Sequence, residues 1–348
     1  MNIGGWLEKE QEAGQKATFK MHPLIADVVV KHLGLDVDFS EVYVEKIITL
    51  INYSNHNPEH NLFEKSKMKL FAERLSDLFF NVDSEVICYL LDRISNLEQN
   101  FGLYHKAFEY SDRVLKIAEA IFENNHESIA EYQNNLANVY SYLGNHIKAK
   151  ELLEIALLND LKIFGTEHHT IIIRQSNLAV VYQNLSYYSD AANLLETALK
   201  TALKIFDSES FNVATCQANL ANVYNDLEEY EQAKALLEAA LKSGLKHFGS
   251  EHPVIAIRQS NLGDIYRKLG NYEKAKEMLE AALIFNIKKF GSENLNVVYS
   301  QSNLAWVYKD IGQDEKAKVL WQAAYKTLFN NLGAEHPHTI RVKQYSEM

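Results

Sequence analysis

The chain has 348 residues, 47% hydrophobic and 23% charged, so it can bury a large core and extensive disorder is excluded. Its formal net charge is -11, and it has no lysine- and arginine-rich cluster of the kind that binds nucleic-acid phosphates. With only 4 prolines and 14 glycines, the composition favours long helices over a turn-rich β-sheet protein.

Other features of the composition predict a cytoplasmic protein that is not an enzyme. Cys88 and Cys216 are far apart and have no CxxC motif, so we expect buried thiols rather than a disulfide or a zinc site. The sequence has no apolar run of about 18 residues and no signal peptide, so we expect no membrane association. HExxH, GxSxG and glycine-rich nucleotide motifs are missing, and we therefore expect no catalysis and no cofactor.

Residues 18–33, TFKMHPLIADVVVKHL, combine a β-like segment, the tetrapeptide MHPL and an amphipathic helix. Together with GWL at 5–7, this arrangement resembles the end of the winged-helix domain of NB-ARC-type (STAND) signalling NTPases. In that family a Met-His motif places the histidine near the β-phosphate of bound ADP, so the resemblance implies that His22 senses nucleotide. The alternative is that His-Pro simply begins an ordinary helix. We assign residues 1–40 to a winged-helix-like remnant.

The chain departs from that family because it has no GxxxxGK[ST] phosphate loop and no Walker-B strand. His22 could therefore act only with an NTPase domain in the same or a neighbouring chain. Residues 41–85 are predicted to be a helical linker, since VYVEKIITLI and SKMKLFAERLSDLFF carry apolar stripes. His56 and His60 have no further metal ligand beside them, and we interpret them as part of a polar turn.

From residue 86 onward, the sequence repeats every 42 residues. The clearest markers are Leu136, Leu178, Leu220, Leu262 and Leu304. A tyrosine follows four residues after each leucine, and two alanines recur in the second half of each unit. Each unit holds two apolar stripes with helical spacing, which predicts a hairpin of two helices. Linkers such as Phe248-Gly249 predict glycine caps at helix ends, and Pro253 and Pro337 predict helix starts.

These residues resemble the tetratricopeptide repeat. The 42-residue step and the linkers GSEHP (249–253) and GAEHP (333–337) are most similar to the kinesin-light-chain subtype. The resemblance implies an all-α fold, a right-handed α-solenoid of stacked helical hairpins over residues 86–348. It would contain about six units, of which the first is degenerate. One hairpin leaves apolar surface on both sides and is stable only when stacked on neighbours.

An asparagine precedes each of the five repeat leucines: Asn135, Asn177, Asn219, Asn261 and Asn303. In solenoids of this family the first helices line the concave surface, so the resemblance implies a row of amides along a groove. Such a row could hold the backbone of an extended peptide, as in the asparagine ladders of other helical-repeat receptors, including the O-GlcNAc glycosyltransferase. Alternatively, each amide cross-links neighbouring helices by bonding a carbonyl of the preceding unit.

We expect specificity to come from variable residues that face the same groove. One turn after the asparagines these are Asn138, Val180, Asn222, Asp264 and Trp306, and further on Asn184, Asn225, Asp226, Arg267, Lys268, Lys309 and Asp310. Trp306 is the leading anchor because aromatic residues dominate interface energies, and its alternative is packing at the end of the stack. Arg174 and Arg258 could clamp a carboxylate, although solvated arginines on the helix surface are the commoner outcome.

The sequence therefore predicts a scaffold that binds a protein or an extended peptide, and neither nucleic acid nor membrane. We expect it to be the sensor or docking region of a STAND signalling protein. One alternative is a stand-alone cargo adaptor. Another is a receptor for a small signalling peptide, as in bacterial tetratricopeptide quorum-sensing proteins, which generally lack the FGxEHP spacing. The net charge of -11 slightly favours a basic or neutral partner.

Overall fold

The computed structural model describes residues 7–10, 18–21, 84–123 and 126–347. Near the N-terminus, strand β1 (Leu7–Glu10) pairs antiparallel with strand β2 (Thr18–Met21). His22, His56, His60 and the two predicted linker segments, VYVEKIITLI and SKMKLFAERLSDLFF, lie outside the described residues.

All other described elements are α-helices, in two compact units that divide at Asn124. The first unit includes α1 (Glu85–Asn100) and α2 (Tyr104–Ile121). The helices of the second unit are α3 (Glu127–Tyr142), α4 (His146–Phe164), α5 (His169–Asn184), α6 (Tyr188–Ile205), α7 (Phe211–Asp226), α8 (Tyr230–Phe248), α9 (Pro253–Lys268), α10 (Tyr272–Phe290), α11 (Leu295–Asp310), α12 (Asp314–Leu332) and α13 (Pro337–Glu347).

The second unit is a stack of helical hairpins. Its first helices are α3, α5, α7, α9 and α11, and each packs against the second helix that follows it, α4, α6, α8, α10 or α12. Each second helix also packs on the next first helix, and α13 closes the series against α12. These consecutive hairpins confirm the predicted all-α solenoid. Successive first helices contact each other directly, and successive second helices make no comparable contact in the described residues. The first helices therefore form the inner layer of the stack.

The FGSEHP linker shows why the helices begin and end where they do. The ring of Phe248 stacks on His252 with 4.3 Å between ring centroids. Gly249 ends α8 in a left-handed conformation (φ 71°), which glycine adopts without steric cost. The Nδ1 atom of His252 accepts a hydrogen bond of 3.3 Å from the backbone N–H of Val254, and Pro253 is the first residue of α9. The same histidine cap recurs at His126, His168 and His336.

The repeated apolar residues form the core. All five repeat leucines are buried, and the recurring alanines are fully buried where first and second helices cross. Gly263 stands where the other repeats have an alanine directly after the repeat leucine, and a Cβ there would lie 2.6 Å from Cγ of Leu279. The thiols of Cys88 and Cys216 are buried, as predicted.

A tyrosine on each of four first helices ties its hairpin to the preceding one. The hydroxyl of Tyr182 donates a hydrogen bond of 2.8 Å to Glu154 on α4. The equivalent pairs, each 28 residues apart, are Tyr224–Glu196, Tyr266–Glu238 and Tyr308–Glu280. Burial, and then the neighbouring glutamate, raise the pKa of Tyr182, Tyr224 and Tyr266 to about 12. The recurring tyrosines therefore join repeats by a polar bond as well as by packing.

A second set of contacts, here called the interface pairs, joins each second helix to the next first helix at residues 14 apart. The pairs are Asp160/Arg174, Ala202/Cys216, Gly244/Arg258, Asn286/Ser300 and Leu328/Val342. Arg174 Nε donates to Asp160 Oδ2 at 2.7 Å, and Asn286 Nδ2 donates to Ser300 Oγ at 2.9 Å. Each interface thus has its own combination of size and polarity.

The interface pairs correct one prediction. Arg174 is only 6% exposed and Arg258 only 3%, so the expectation of solvated or ligand-clamping arginines is wrong. Arg258 Nη1 donates to the Ala240 carbonyl at 2.7 Å, and its guanidinium fits because a Cβ on Gly244 would lie 2.4 Å from the same nitrogen. Both arginines are buried because of the residue 14 positions earlier. Asp160 supplies a carboxylate for Arg174, and Gly244 leaves space for Arg258.

The Asp160–Arg174 pair provides a test of the packing. Burial raises the pKa of Asp160 despite the opposing effect of Arg174, which indicates a costly desolvation. Arg174→Val should lower the free energy of unfolding by about 3–5 kcal/mol because it leaves a buried carboxylate unpaired. Asp160→Leu with Arg174→Val copies the Leu328/Val342 pair and should restore stability to wild type or above. Urea unfolding followed by circular dichroism checks this, and a double variant as unstable as the single one would contradict it.

The tyrosine–glutamate pairs predict a pH dependence. Because the folded pKa of about 12 exceeds the ordinary value of 10.0, the pairs stabilise the fold fully below pH 10 and lose that contribution between about pH 10 and 12. Absorbance at 295 nm should show a class of late-titrating tyrosines in the folded chain. Tyr266→Phe should remove one tyrosine from that class. A titration curve of Tyr266→Phe that matches the wild-type curve above pH 10 would exclude the pairs.

Candidate functional site

The predicted asparagine row lies on the first helices, with every member half-buried. Asn177 Nδ2 donates to Asn134 Oδ1 at 2.8 Å, and Asn261 Nδ2 donates to Asn222 Oδ1 at 2.9 Å. Asn303 Nδ2 donates more weakly, at 3.3 Å, to Ser260 Oγ. In each case the acceptor is a side chain on the preceding first helix, whereas the structural alternative in the sequence was a backbone carbonyl. Each of these amides keeps a second N–H and its own oxygen for other contacts.

The two remaining members of the row differ from these three. Asn135 Oδ1 accepts a hydrogen bond of 3.2 Å from Asn134 Nδ2 on the same helix. The Asn219 side chain has no hydrogen-bond partner among the described residues. Ser176 stands at the position equivalent to the acceptors Asn134 and Ser260, but no hydrogen bond joins it to Asn219 in the described residues. The row therefore contains amides that cross-link helices and one amide whose hydrogen-bonding capacity is unused.

The second predicted set lies one turn further along the same helices. Asn138, Asn222, Asp264 and Trp306 are half-buried, and Val180 is exposed. Asp264 is bound by Arg267 at 3.1 Å and by Lys268 at 3.4 Å, so its charge is compensated within α9.

Trp306 contacts Trp321 and Tyr345, with ring centroids 5.1 and 5.0 Å apart. Packing at the end of the stack was the alternative to a ligand-anchoring role for Trp306 in the sequence analysis. The ring also lines a pocket of about 270 Å³ between α11 and α13, together with Asn303 and Arg341. Trp306 therefore combines packing at the end of the stack with a surface that faces a pocket.

The polar residues near the C-terminal ends of the first helices bond to each other across neighbouring repeats. Arg267 Nη1 donates to Asp310 at 2.9 Å, and Lys268 Nζ donates to Asn225 at 2.7 Å. Gln183 likewise donates to Asp226. In all three contacts the partners are 43 residues apart, one more than the repeat. Much of the mixed charge predicted to read a ligand thus stabilises the inner layer itself.

The structure adds a row of exposed apolar side chains that the sequence reasoning missed. Ile173 is 48% exposed, and Ile257 and Tyr299 are each 60% exposed, with Thr215 at the equivalent position of α7. Each lies four residues before a row asparagine, so the two rows run side by side on one helix face. The 42-residue step contained this signal, since three of the five equivalent positions are apolar and the other two are Glu131 and Thr215. An apolar row beside an amide row is suited to an extended peptide ligand, which presents backbone groups to the amides and apolar side chains to the apolar row.

A pocket with a volume of about 530 Å³ lies between α5 and α7. Its walls are mostly apolar: Ile172, Ile173, Ile205, Phe206, Phe211 and Cys216. Asn177 and Asn219 also line it. Burial raises the pKa of Cys216 to about 11, so its thiol is neutral at physiological pH. The volume lies within the ordinary range of about 300–1,000 Å³ for ligand pockets.

Among the described residues, no cluster of three or more histidine, cysteine, aspartate or glutamate side chains could hold a metal ion. The helices of the same residues include none that is long and apolar enough to cross a bilayer.

The family model described as tetratricopeptide repeat matches residues 85–158, 130–204, 171–246, 212–284 and 254–328. A putative kinesin light chain from Podosopora anserina with nearly identical TPR-like repeats is 27% identical. The match covers 59% of this chain and 98% of that one with a TM-score of 0.51. BtubC (BKLC) from P. vanneervenii is 24% identical over 69% of this chain and 93% of that chain, with a TM-score of 0.51. No curated protein matches the chain.

Two further solved structures share the fold at lower identity. A Rap protein complexed with Competence and Sporulation Factor is 16% identical over 86% of this chain and 87% of that chain, with a TM-score of 0.57. The apo quorum sensor NprR from B. thuringiensis is 15% identical over 93% of this chain and 92% of that chain, with the same TM-score of 0.57. Likeness at this level of identity concerns the fold alone.

The lateral bonds of the asparagine row predict a difference in stability. Asn177→Ala should lower the free energy of unfolding by about 1 kcal/mol because it removes the bond to Asn134. Asn219→Ala should change it by less than about 0.5 kcal/mol because no described residue bonds that side chain. Parallel thermal and urea unfolding of both variants checks this. Equal losses in the two variants would show that the bond to Asn134 does not stabilise the stack.

Proposed function

The chain belongs to the tetratricopeptide repeat family, and on that premise we propose that it binds an extended peptide along its first helices. The observation that carries the proposal is the pair of parallel rows, half-buried amides beside exposed apolar side chains. An extended peptide offers one N–H and one C=O per residue, and the amide row can satisfy both. The apolar row can contact side chains on the same edge of the peptide.

The spacing of the stack agrees with this mode of binding. Packed helices lie about 8–10 Å apart, and an extended chain rises about 3.3 Å per residue. About three peptide residues therefore pass each first helix, so each repeat can hold one backbone amide and accept one side chain. Tight binding also requires that the wall does not rearrange, and the lateral bonds of Asn177 and Asn261 hold those amides in place.

We further propose that the repeats are the sensor or partner-docking region of a STAND-type signalling protein in the cytoplasm. The support is the resemblance of MHPL to a winged-helix motif, in which His22 would approach a nucleotide bound by an NTPase domain of the same or a neighbouring chain. Peptide binding would then shift a two-state equilibrium of the whole assembly. In this proposal the repeats themselves catalyse nothing.

Two other binding functions remain candidates for the same groove. A stand-alone adaptor is favoured by the kinesin-light-chain-like linkers and by the 27% identity to the putative kinesin light chain. A receptor for a small signalling peptide is favoured by the fold shared with Rap and with the quorum sensor NprR over 86% and 93% of this chain. Nucleotide binding by a longer chain that includes MHPL, lost in His22→Ala, would favour the STAND context over both.

A random twelve-residue peptide library selected on the immobilised chain tests the groove. Asn177→Ala, Asn219→Ala and Asn261→Ala together should weaken the selected peptides by about 100-fold, since each lost hydrogen bond contributes about 1 kcal/mol. The helicity of the triple variant should stay near that of wild type.

The matched control is Asn193→Ala with Asn330→Ala, which removes two exposed amides from the second helices and should leave affinity unchanged. Fluorescence polarisation gives both affinities. Unchanged affinity in the triple variant, or its unfolding, would contradict a ligand-contacting role for the row.

A further inference from the structure

The pocket between α5 and α7 arises from a local departure in the repeat. The linker before α7 reads FDSESF at 206–211, where the linker before α9 reads FGSEHP at 248–253. In the latter, Phe248 stacks on the capping ring of His252. Before α7 the cap is Ser210, whose hydroxyl accepts from the Val213 N–H at 3.3 Å, so no imidazole is present for stacking.

The missing glycine changes the direction of the chain at the same place. Asp207 replaces the glycine that ends the other second helices, and a left-handed conformation is costly for a residue with a Cβ. Helix α6 accordingly stops at Ile205, and Phe206 is extended (φ -117°, ψ 157°). Its ring lines the pocket instead of covering a helix cap.

The interface pair Ala202/Cys216 enlarges the pocket between α5 and α7. Ala202 and Cys216 are smaller than Asp160 and Arg174, which occupy the equivalent positions one repeat earlier. Both small residues are buried, and Cys216 forms part of the pocket wall. The pocket is thus a consequence of two sequence changes that coincide at a single interface.

The lining excludes a charged occupant. Glu167 is the one acidic side chain among the lining residues, and Lys204 already pairs with it. The rest of the wall consists of aliphatic and aromatic side chains, a neutral thiol, amides, hydroxyls and the histidines of one cap. A charge placed in such a pocket would lose its hydration without gaining a partner.

The unused amide of Asn219 indicates what the occupant is attached to. It lies in the amide row and lines the pocket. A half-buried amide at the edge of an apolar pocket is satisfied by a ligand that brings a peptide group and an apolar side chain together.

We propose that the α5–α7 pocket receives one bulky uncharged side chain, aliphatic or aromatic, of an extended peptide whose backbone bonds Asn219. This inference rests on the proposed function and sets the register of the peptide in the groove. Ile173, which belongs both to the pocket wall and to the exposed apolar row, connects the pocket to the neighbouring contacts.

The direct test uses amino-acid amides on the full chain labelled at isoleucine δ1 methyls. N-acetyl-tryptophanamide and N-acetyl-leucinamide should shift the methyl signals of Ile172, Ile173 and Ile205 saturably, while N-acetyl-lysinamide should not. The buried Ile265 and the exposed Ile284 serve as internal controls. Absence of saturable shifts at the three pocket methyls, or equal shifts with the lysine derivative, would overturn the proposal.

A linker transplant provides the matched variant. Asp207→Gly, Ser210→His and Phe211→Pro make the linker before α7 identical to 248–253, a sequence that folds in this chain. The variant should weaken binding of N-acetyl-tryptophanamide at least tenfold because Phe206 returns to the cap and the Phe211 ring is removed from the pocket wall. The reverse change, Gly249→Asp, His252→Ser and Pro253→Phe, should leave that binding unchanged. Undiminished binding in the first variant would overturn the assignment.

The two proposals fail separately. If the selected peptides depend on Asn219 but bind the transplant variant as tightly as wild type, the pocket proposal is wrong and the groove stands. If the pocket methyls respond to the amino-acid amides but no library peptide is selected, the peptide-binding groove is wrong and the pocket remains an apolar side-chain site. A concentration-dependent dimer abolished by the transplant would assign the pocket to a second copy of the chain and overturn the proposal.

Discussion

The fold depends on the contact between neighbouring hairpins, because no hairpin can bury both of its apolar faces alone. Each interface is built from the same parts: a buried leucine, fully buried alanines at the helix crossing, and a tyrosine bonded to a glutamate of the preceding second helix. Direct contact between successive first helices turns these helices into one continuous inner layer. A groove of regularly spaced side chains is a consequence of that packing.

The regularity also limits what the groove can use for recognition. Asn177 and Asn261 each donate one N–H to a side chain of the preceding first helix. Arg267 donates to Asp264 and Asp310. These bonds hold the wall rigid and leave fewer groups for a ligand. On the proposed function, recognition would depend on the places where the repeat is broken. Asn219, with no described partner, and the FDSESF linker are both at the interface between α5 and α7.

Periodicity predicted the elements that depend on a single helix face. The repeat leucines and the recurring alanines are buried as their spacing indicated, and the glycine and proline positions mark the helix ends. It could not place Arg174 and Arg258, because their burial depends on residues 14 positions earlier on another helix. Once the stacking is known, Asp160 and Gly244 explain both arginines. The histidine caps could not be predicted for a related reason. In FGxEHP the glycine predicts the end of one helix and the proline the start of the next, but the sequence alone assigns no role to the histidine ring between them.

The asparagine row illustrates a different limit. The sequence identified its members and offered two uses, ligand contact and helix cross-linking. The bonds to Asn134, Asn222 and Ser260 are cross-links of this second kind, made to side chains of the preceding first helix. Neither spacing nor residue type distinguishes Asn219 from its counterparts. Its difference comes from Ser176, which makes no hydrogen bond to it, and from the small interface pair that opens the pocket beside it.

Side-chain amide signals of the row, observed by NMR in the asparagine-labelled chain, test the central claim most directly. Titration with a library-selected peptide should move the Asn219 amide signals most, those of Asn177 and Asn261 less, and those of Asn193 on the outer layer not at all. A peptide that binds at the same affinity while the row signals stay fixed would show that the inner wall is not where this chain holds its partner.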